Sequence, residues 1–181
     1  MKTALILIDI QNDYFENGNN PLSGSLEASL NAKMLLNDFR NKNLPIVHIQ
    51  HIAVSPAATF FKPNTLGVEI HLNVFPKENE KVIQKYYPNA FRETELLEYL
   101  KTDGITDLVI CGMMTQMCVD ATVRAAKDFG FNIKVIEDAC ATKNLEINGI
   151  TVNANDVQNS FLAALNYFYS EVMKTEEFLK A

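Results

Sequence analysis

The sequence predicts an α/β fold in which a mainly parallel sheet carries helices on both faces. Short apolar segments alternate along the chain with longer segments of helical periodicity, and alternation of this kind is typical of parallel sheets. The first apolar segment, 3–9, is a continuous run (TALILID). A strand buried on both faces of a sheet reads this way, so we expect 3–9 to lie near the centre of the sheet.

The other elements follow in order along the chain. The expected strands after the first are 45–50, 81–85, 106–111 and 132–137, with an edge strand at 171–174. The expected helices are 25–41, 95–103, 115–129 and 154–169. The stretch 51–80 is irregular, and so long a connection often carries function.

Spacing and capping residues support the helices. In 25–41 the apolar residues repeat at helical spacing: Leu26, Leu30, Met34, Leu35 and Phe39. In 154–169 one apolar stripe is predicted: Val157, Phe161, Ala164, Leu165 and Phe168. Thr94 is placed to cap 95–103, and Gly104 to end it.

Composition limits the class of protein. The 181 residues suit one domain, 1–181, which is 48% hydrophobic and 21% charged. The net charge of −6 disfavours nucleic acid or an anionic membrane as a partner, because both attract cationic proteins. No apolar run is long enough to span a membrane. Three cysteines without a paired spacing disfavour disulfides, so we expect a cytoplasmic protein.

An acid, a base and a thiol fall at the ends of the expected strands. Asp9 ends the first strand, Lys85 ends the third, and Cys118 follows the fourth. Parallel sheets bind ligands at the carboxyl ends of their strands. We therefore expect these three side chains to meet, although each alone has an ordinary structural explanation as a turn former, a solvated cation or a buried small residue.

The three residue types suit covalent catalysis. Cys118 begins the expected helix 115–129, where free N–H groups and a nearby Lys85 ammonium are expected to lower the pKa of the thiol. Asp9 is the candidate base, which takes the thiol proton and returns it to the leaving group. Backbone N–H groups of the turn 112–118 are candidates for holding the oxyanion.

The same residues lie in four motifs that occur in order. These segments are 9–15 (DIQNDYF), Lys85 with 89–91 (NAF), 112–119 (GMMTQMCV) continued by 121–126 (ATVRAA), and 137–141 (EDACA). Together they resemble the isochorismatase-like hydrolase superfamily, also called the cysteine hydrolase family. The resemblance runs from residue 3 to about residue 170.

The resemblance implies a six-stranded α/β/α sandwich and a catalytic triad of Asp9, Lys85 and Cys118. It also implies a cis peptide between Met114 and Thr115, and an oxyanion hole made by the backbone N–H groups of Met114 and Cys118. Members of the family are commonly dimers or tetramers, so a homo-oligomer is expected.

The family that the chain resembles has several activities, and residues of this sequence disfavour two of them. Nicotinamidases carry a metal site with an Asp-x-His pair after the second strand, which this chain lacks at Gln50 and His51. His48 and His51 are three apart and face opposite sides of an extended strand, so no metal and no other cofactor is expected. Isochorismatases lack the nucleophilic cysteine, whereas Cys118 is present. Of the activities that the resemblance covers, the one expected here is hydrolysis of a small amide, carbamoyl or ureide group through an acyl-enzyme.

Six residues near the expected site are candidates for contacting the small-molecule substrate: Gln11, Phe15, Phe60, Tyr87, Thr115 and Gln116. Aromatic residues at a pocket mouth suit a planar or apolar substrate, although such residues commonly belong to a core or an interface. The two glutamines are also placed to orient Asp9 or the turn.

Two other classes of function stay open. A non-catalytic binding protein that keeps the fold would show a slowly reacting Cys118. A nucleotide-binding α/β protein needs a glycine-rich loop after the first strand, and 9–12 (DIQN) contains no glycine.

Overall fold

The computed structural model describes residues 2–180, and Met1 and Ala181, the ends of the expected domain, lie outside them. In chain order the strands are β1 (Thr3–Ile8), β2 (Ile46–His51), β3 (Lys81–Lys85), β4 (Asp107–Met113), β5 (Asn132–Ala141), β6 (Leu145–Ile147), β7 (Ile150–Val152) and β8 (Glu171–Met173). The helices are α1 (Ser25–Asn41), α2 (Leu96–Thr102), α3 (Asp120–Asp128), α4 (Ala154–Phe168) and α5 (Thr175–Lys180).

Six strands form one parallel sheet in the order β3-β2-β1-β4-β5-β8, which confirms the expected architecture. Apolar β1 lies inside the sheet, between β2 and β4, and its residues from Ala4 to Ile8 are buried. The strand order reverses at β1 and β4, so their carboxyl ends open a crevice between them. Ligand sites of parallel sheets form at such a reversal.

Gly112 allows β4 to pass close to β1. It is paired with Ile8 and has φ of +135°. A Cβ atom built on Gly112 would lie 2.0 Å from the Ile8 carbonyl oxygen, which no side chain tolerates. Only glycine fits both the backbone angle and the space, and the close approach brings the turn after β4 next to Asp9.

The segment 115–129 is not one helix. Thr115–Val119 forms a wide π-helical turn, and α3 begins at Asp120. Strand β5 also runs beyond the expected end at 137, because Cys140 and Ala141 still pair with the end of β4. Single π turns inside helices occur often at functional sites, and this one contains Cys118.

The hairpin β6–β7 and helix α5 are absent from the sequence-based prediction. Both are short, and Ile147 and Ile150 in the hairpin are exposed, so no buried periodic pattern marks them. The edge strand expected at 171–174 is confirmed as β8.

The apolar faces of two helices differ from those expected. On α1 the residues Leu26, Leu30 and Met34 are 46–53% exposed. The buried face of α1 keeps Leu35 and Phe39 from the expected set and is completed by Ala28, Ser29, Ala32 and Leu36. Small residues at this contact let the helix approach the sheet closely. Likewise Phe168 of α4 is 65% exposed, whereas Leu162 is buried.

All three cysteines are unpaired and buried. Within residues 2–180, none of the helices combines the length and the apolar character that a membrane span requires. The cytoplasmic location stays a prediction.

Candidate active site

Asp9, Lys85 and Cys118 come together at the carboxyl edge of the sheet. Asp9 follows β1, Lys85 ends β3, and Cys118 lies in the π turn after β4. The Lys85 Nζ atom is 2.7 Å from Asp9 Oδ2, and neither side chain is exposed to solvent. An oxygen of Asp9 and the Cys118 Sγ atom lie within 4.8 Å of each other and of a ring nitrogen of His51. The sequence argument anticipated the first three residues, but it placed no role on His51 beyond metal binding.

The Lys85 ammonium uses all of its hydrogens within the protein. Its Nζ atom lies 2.7 Å from Asp9 Oδ2, 3.0 Å from His51 Nδ1 and 3.1 Å from the Tyr87 carbonyl oxygen. The Cys118 sulfur is a further hydrogen-bond partner of this ammonium. Burial opposes the charge, but the Asp9 carboxylate outweighs burial and raises the pKa of Lys85. Lys85 is therefore a fixed positive charge.

Asp9 keeps one carboxylate oxygen free. Oδ2 forms an ion pair with the Lys85 ammonium, whereas no ion-pair contact is made through Oδ1, and neither buried oxygen has a well-aligned hydrogen-bond donor in residues 2–180. An unpaired buried carboxylate oxygen is costly, by about 1–3 kcal/mol or more, and such exceptions concentrate at functional sites. Asp9 also has φ of +49°, in the left-handed region that aspartate rarely adopts. Both features point to Oδ1 as the acceptor for a proton from the substrate or the thiol.

The Cys118 thiol differs from the sequence-based expectation. Only 5% of the residue is exposed, and burial raises the pKa of Cys118. The Asp9 carboxylate raises it further, while the Lys85 ammonium acts in the opposite direction. The expected lowering was wrong because the sequence argument counted the helix terminus and the ammonium but not the depth of the site. Cys118 therefore needs a base to become a thiolate.

The turn between β4 and α3 forms the candidate oxyanion hole. Its cis peptide joins Met113 and Met114, not Met114 and Thr115 as expected. The error is one residue, and the cis peptide unit is the one that carries the Met114 N–H. That N–H donates to no backbone carbonyl of residues 2–180, whereas the Met114 carbonyl accepts from the N–H groups of Met117 and Val119. A free donor beside the thiol is what an oxyanion requires.

Thr115 and Gln116 hold this turn in place, and their polar groups are already in use. The Thr115 hydroxyl is 2.7 Å from Gln158 Oε1 and 3.2 Å from the Ala141 carbonyl oxygen. Gln116 Oε1 accepts a hydrogen bond of 2.5 Å from the Thr142 hydroxyl. Their contacts therefore favour an orienting role over the substrate contact expected from the sequence.

Gln11 is likewise saturated. Its Nε2 atom donates to the carbonyl oxygens of His51 (2.9 Å) and Val68 (2.7 Å), and its Oε1 atom accepts from the His51 N–H (2.8 Å). The side chain is fully buried. Gln11 thus joins the ends of β1 and β2 to the long connection, and both N–H donors of its amide are already used.

Two of the candidate aromatic residues have close protein partners. Phe15 stacks on His71 with 3.7 Å between ring centroids and is 7% exposed. The Tyr87 ring lies under the Arg92 guanidinium, 3.6 Å from its centroid, in a cation–π contact. Both rings are therefore held by other side chains of the protein, and their contact with a substrate stays a prediction.

Phe60 belongs to a cluster beside the site. Its ring centroid is 4.9 Å from that of Phe61 and 5.9 Å from that of Tyr14. Phe60 is partly exposed, whereas Tyr14 and Phe61 are buried. Burial, followed by the negative charges of Cys118 and Asp9, raises the pKa of Tyr14, so its hydroxyl stays protonated. Phe60 is the candidate aromatic residue best placed to meet a ligand.

Asp13 anchors the long connection and was missed as an individual residue. Its Oδ2 atom accepts from the Phe61 N–H at 2.6 Å, and Oδ1 accepts from the backbone and side chain of Asn19. A Cβ atom on Gly67 would lie 2.2 Å from Oδ1. The carboxylate thus holds Phe61 beside Tyr14, with Gly67 packed tightly against it. A hydrogen-bonded acid next to a glycine thirty or more residues away leaves no periodic signal in the sequence.

A metal ion is a poor fit to the site. Asp9, His51 and Cys118 offer donor types that zinc accepts. However, the Lys85 ammonium lies between Asp9 and His51, at 2.7 and 3.0 Å, and repels a second cation. His48 is remote from this group, because it is paired with Glu80 at 2.9 Å. The expectation of no metal stays a prediction.

One cavity, of about 640 Å³, lies away from this chemistry, at the amino ends of β2 and β3. Its charged side chains are mostly paired with one another, as Arg40 with Glu80 at 2.6 Å and Lys2 with Asp103 at 2.7 Å. None of the three candidate catalytic residues lines it. We prefer the strand-end site because it combines a free buried oxygen, a thiol and a fixed cation.

Comparison with known proteins supplies independent information. A family model described as the isochorismatase domain matches residues 3–177. The isochorismatase family protein YddQ of Bacillus subtilis (strain 168) is 51% identical over 99% of this chain and 100% of its own. A streptothricin hydrolase of Streptomyces noursei is 30% identical over 90% of this chain and 56% of its own. A crystal structure from Oleispira antarctica, described as an isochorismatase hydrolase, has a TM-score of 0.96 at 44% identity, covering 99% of this chain and 97% of its own.

Proposed function

Because the chain belongs to the isochorismatase family of hydrolases, we propose that it cleaves the C–N bond of a small amide, carbamoyl or ureide substrate through Cys118. One observation carries the proposal. The buried Asp9 carboxylate is fixed by Lys85 through Oδ2 and keeps Oδ1 free, close to the thiol. This arrangement suits a base that must act on one particular proton.

The proposed reaction has two halves. Asp9 takes the proton of Cys118, and Sγ attacks the substrate carbonyl carbon while the N–H groups of Met114 and Cys118 hold the oxyanion. The tetrahedral intermediate collapses, Asp9 gives its proton to the leaving nitrogen, and ammonia or an amine departs. Water, deprotonated by Asp9, then attacks the thioester and releases the acid and the free thiol. Lys85 stays protonated throughout and stabilises the ionised Asp9.

The site supports this class of substrate over the other activities of the family. An acyl-enzyme requires a nucleophile, and Cys118 is present beside a base. The relative named streptothricin hydrolase is consistent with hydrolysis as the activity. Phe60 borders the site and offers an apolar surface to a planar substrate. The reaction needs neither a metal nor another cofactor.

The first experiment is ammonia release from a panel of small amides, carbamoyl compounds and ureides. We expect release from at least one compound, with the Cys118→Ala protein as the blank. Mass spectrometry of the wild-type protein during turnover should show an adduct on the Cys118 peptide. Absence of release from every compound, together with a Cys118 that iodoacetamide alkylates no faster than Cys111, would favour the non-catalytic binding protein.

We also propose that the chain forms a homo-oligomer, a dimer or a tetramer. The row of Leu26, Leu30 and Met34 on α1 supports this, because four-residue spacing makes it a continuous apolar strip on the surface. Light scattering coupled to size exclusion is expected to give a multiple of 20.3 kDa. A monomer at micromolar concentration would contradict it.

A further inference from the structure

His51 lies between Asp9 and Lys85 at the carboxyl edge of the sheet. It is the last residue of β2, which lies between β1 and β3. Its Nδ1 atom is 3.0 Å from Lys85 Nζ. Its backbone N–H and carbonyl are both bound to the Gln11 side chain, at 2.8 and 2.9 Å. The backbone that carries the imidazole ring is therefore anchored at the end of β2 by Gln11.

The contact with Lys85 determines the protonation state of the ring. Because Lys85 is an ammonium, Nδ1 has to accept the hydrogen bond and carries no proton. Burial lowers the pKa of His51, and the Lys85 charge lowers it further, while Asp9 opposes them. His51 is thus a neutral imidazole that carries its proton on Nε2.

We propose that His51 is a positioning residue: its Nδ1 atom accepts a hydrogen bond from the Lys85 ammonium and so leaves Asp9 Oδ1 free for the Cys118 proton. The proposal rests on the proposed function and deepens it. Without the imidazole, the partners left to the buried ammonium would be Asp9, the Tyr87 carbonyl and the Cys118 sulfur. The ammonium would then turn toward the remaining acceptors, of which the free Asp9 oxygen is the nearest anionic one.

A purely structural role makes a different prediction. The His51 ring packs 5.8 Å from the Phe61 ring, so it also fills space. If packing were its only role, leucine at this position would change stability but not the titration of Cys118. The titrating and charged groups around His51 are Asp9 after β1, Lys85 on β3, Cys118 in the π turn and Tyr14 before α1. In our proposal the imidazole influences Asp9 and Cys118 by fixing the position of the Lys85 ammonium.

The first test is the tautomer of His51, read from the ¹⁵N chemical shifts of the imidazole nitrogens. The chain has only three histidines, and His51→Asn assigns the signal. We expect an unprotonated Nδ1 and a protonated Nε2 between pH 6 and 8. A proton on Nδ1, or an imidazolium, would overturn the proposal, and this result does not depend on any substrate.

The second test is the pH dependence of Cys118 alkylation by iodoacetamide, in wild type, His51→Leu and His51→Asn. We expect leucine to move the midpoint to higher pH by about one unit, and the rate below the midpoint to fall about tenfold, because an ammonium that turns to Asp9 Oδ1 occupies the acceptor of the thiol proton. Asparagine keeps an acceptor close to the position of Nδ1, so its profile should stay near that of wild type. His71→Leu, a change outside the Lys85 contacts, is the matched control.

The outcomes separate the inference from the proposed function. An unchanged profile in His51→Leu, or equal slowing in both His51 variants, would overturn the role of His51. A wild-type Cys118 that reacts no faster than Cys111 would count against the nucleophile, while the tautomer would still decide the Lys85 contact. If His51→Leu does not fold, the asparagine variant and the tautomer decide.

Discussion

Cys118→Ala is expected to lower kcat by about 10⁴-fold or more, because removal of a catalytic nucleophile leaves only binding and oxyanion stabilisation. The loss should be in turnover and not in folding. Cys118 lies in a turn that Thr115 and Gln116 hold by hydrogen bonds of their own. Deleting one sulfur atom there should cost stability by about 1 kcal/mol. The measurement is ammonia release at saturating substrate, with thermal melting in parallel.

Cys111→Ala is the matched control for this variant. It removes an equally buried thiol from β4, outside the site, and should leave kcat near that of wild type. Cys118→Ser tests the chemistry further, since its hydroxyl is a far weaker nucleophile, and it should be nearly inactive as well. Turnover by Cys118→Ala above one hundredth of the wild-type rate would exclude the acyl-enzyme mechanism.

Asp9→Asn is expected to lower kcat by about 10²–10⁴-fold. The amide oxygen can still accept a hydrogen bond from Lys85, but the amide nitrogen cannot take the thiol proton. The variant also leaves the Lys85 charge buried without its counterion, and breaking a buried pair costs about 3–5 kcal/mol. Its kcat is therefore measured at a temperature where circular dichroism shows the native fold.

The double variant Asp9→Asn/Lys85→Met separates catalysis from stability. Removing both charges should restore much of the stability that the single variant loses, because no unpaired charge stays buried. It should remain inactive, since the base is still absent. Recovery of activity together with stability would show that Asp9 supports the fold and that the base is another group.

The positions of the elements could be predicted well because the strands and long helices bury periodic apolar residues. The continuous run of β1 and the spacing in α1 are examples, and the structure shows both. The faces were less predictable. Leu30 and Met34 were expected to be buried because they are large and apolar, but both are about half exposed. Small residues, alanine and serine, make part of the buried face of α1 instead.

The candidate site shows the same division. Asp9, Lys85 and Cys118 could be found because strand ends converge in a parallel sheet, whatever the distance along the chain. The roles of His51 and Asp13 could not, because they depend on hydrogen bonds to residues far away in the chain, Lys85 for His51 and Phe61 for Asp13. Gln11 and Thr115 were named as substrate contacts, which stays a prediction, and only the structure shows the hydrogen-bond partners of their polar groups.

By itself, the sequence determined that the sheet is mainly parallel, because local periodicity and the chirality of parallel connections limit the topology. It also determined the edge of the sheet at which the site forms and the three residues that meet there. Only the tertiary structure decided the direction in which the pKa values of Cys118 and Lys85 shift. Burial raises the pKa of Cys118 even with a cation nearby, and the Asp9 carboxylate forms its ion pair with Lys85 through Oδ2. Desolvation and hydrogen-bond satisfaction depend on everything packed around a group, and neighbours in space are not neighbours in the chain.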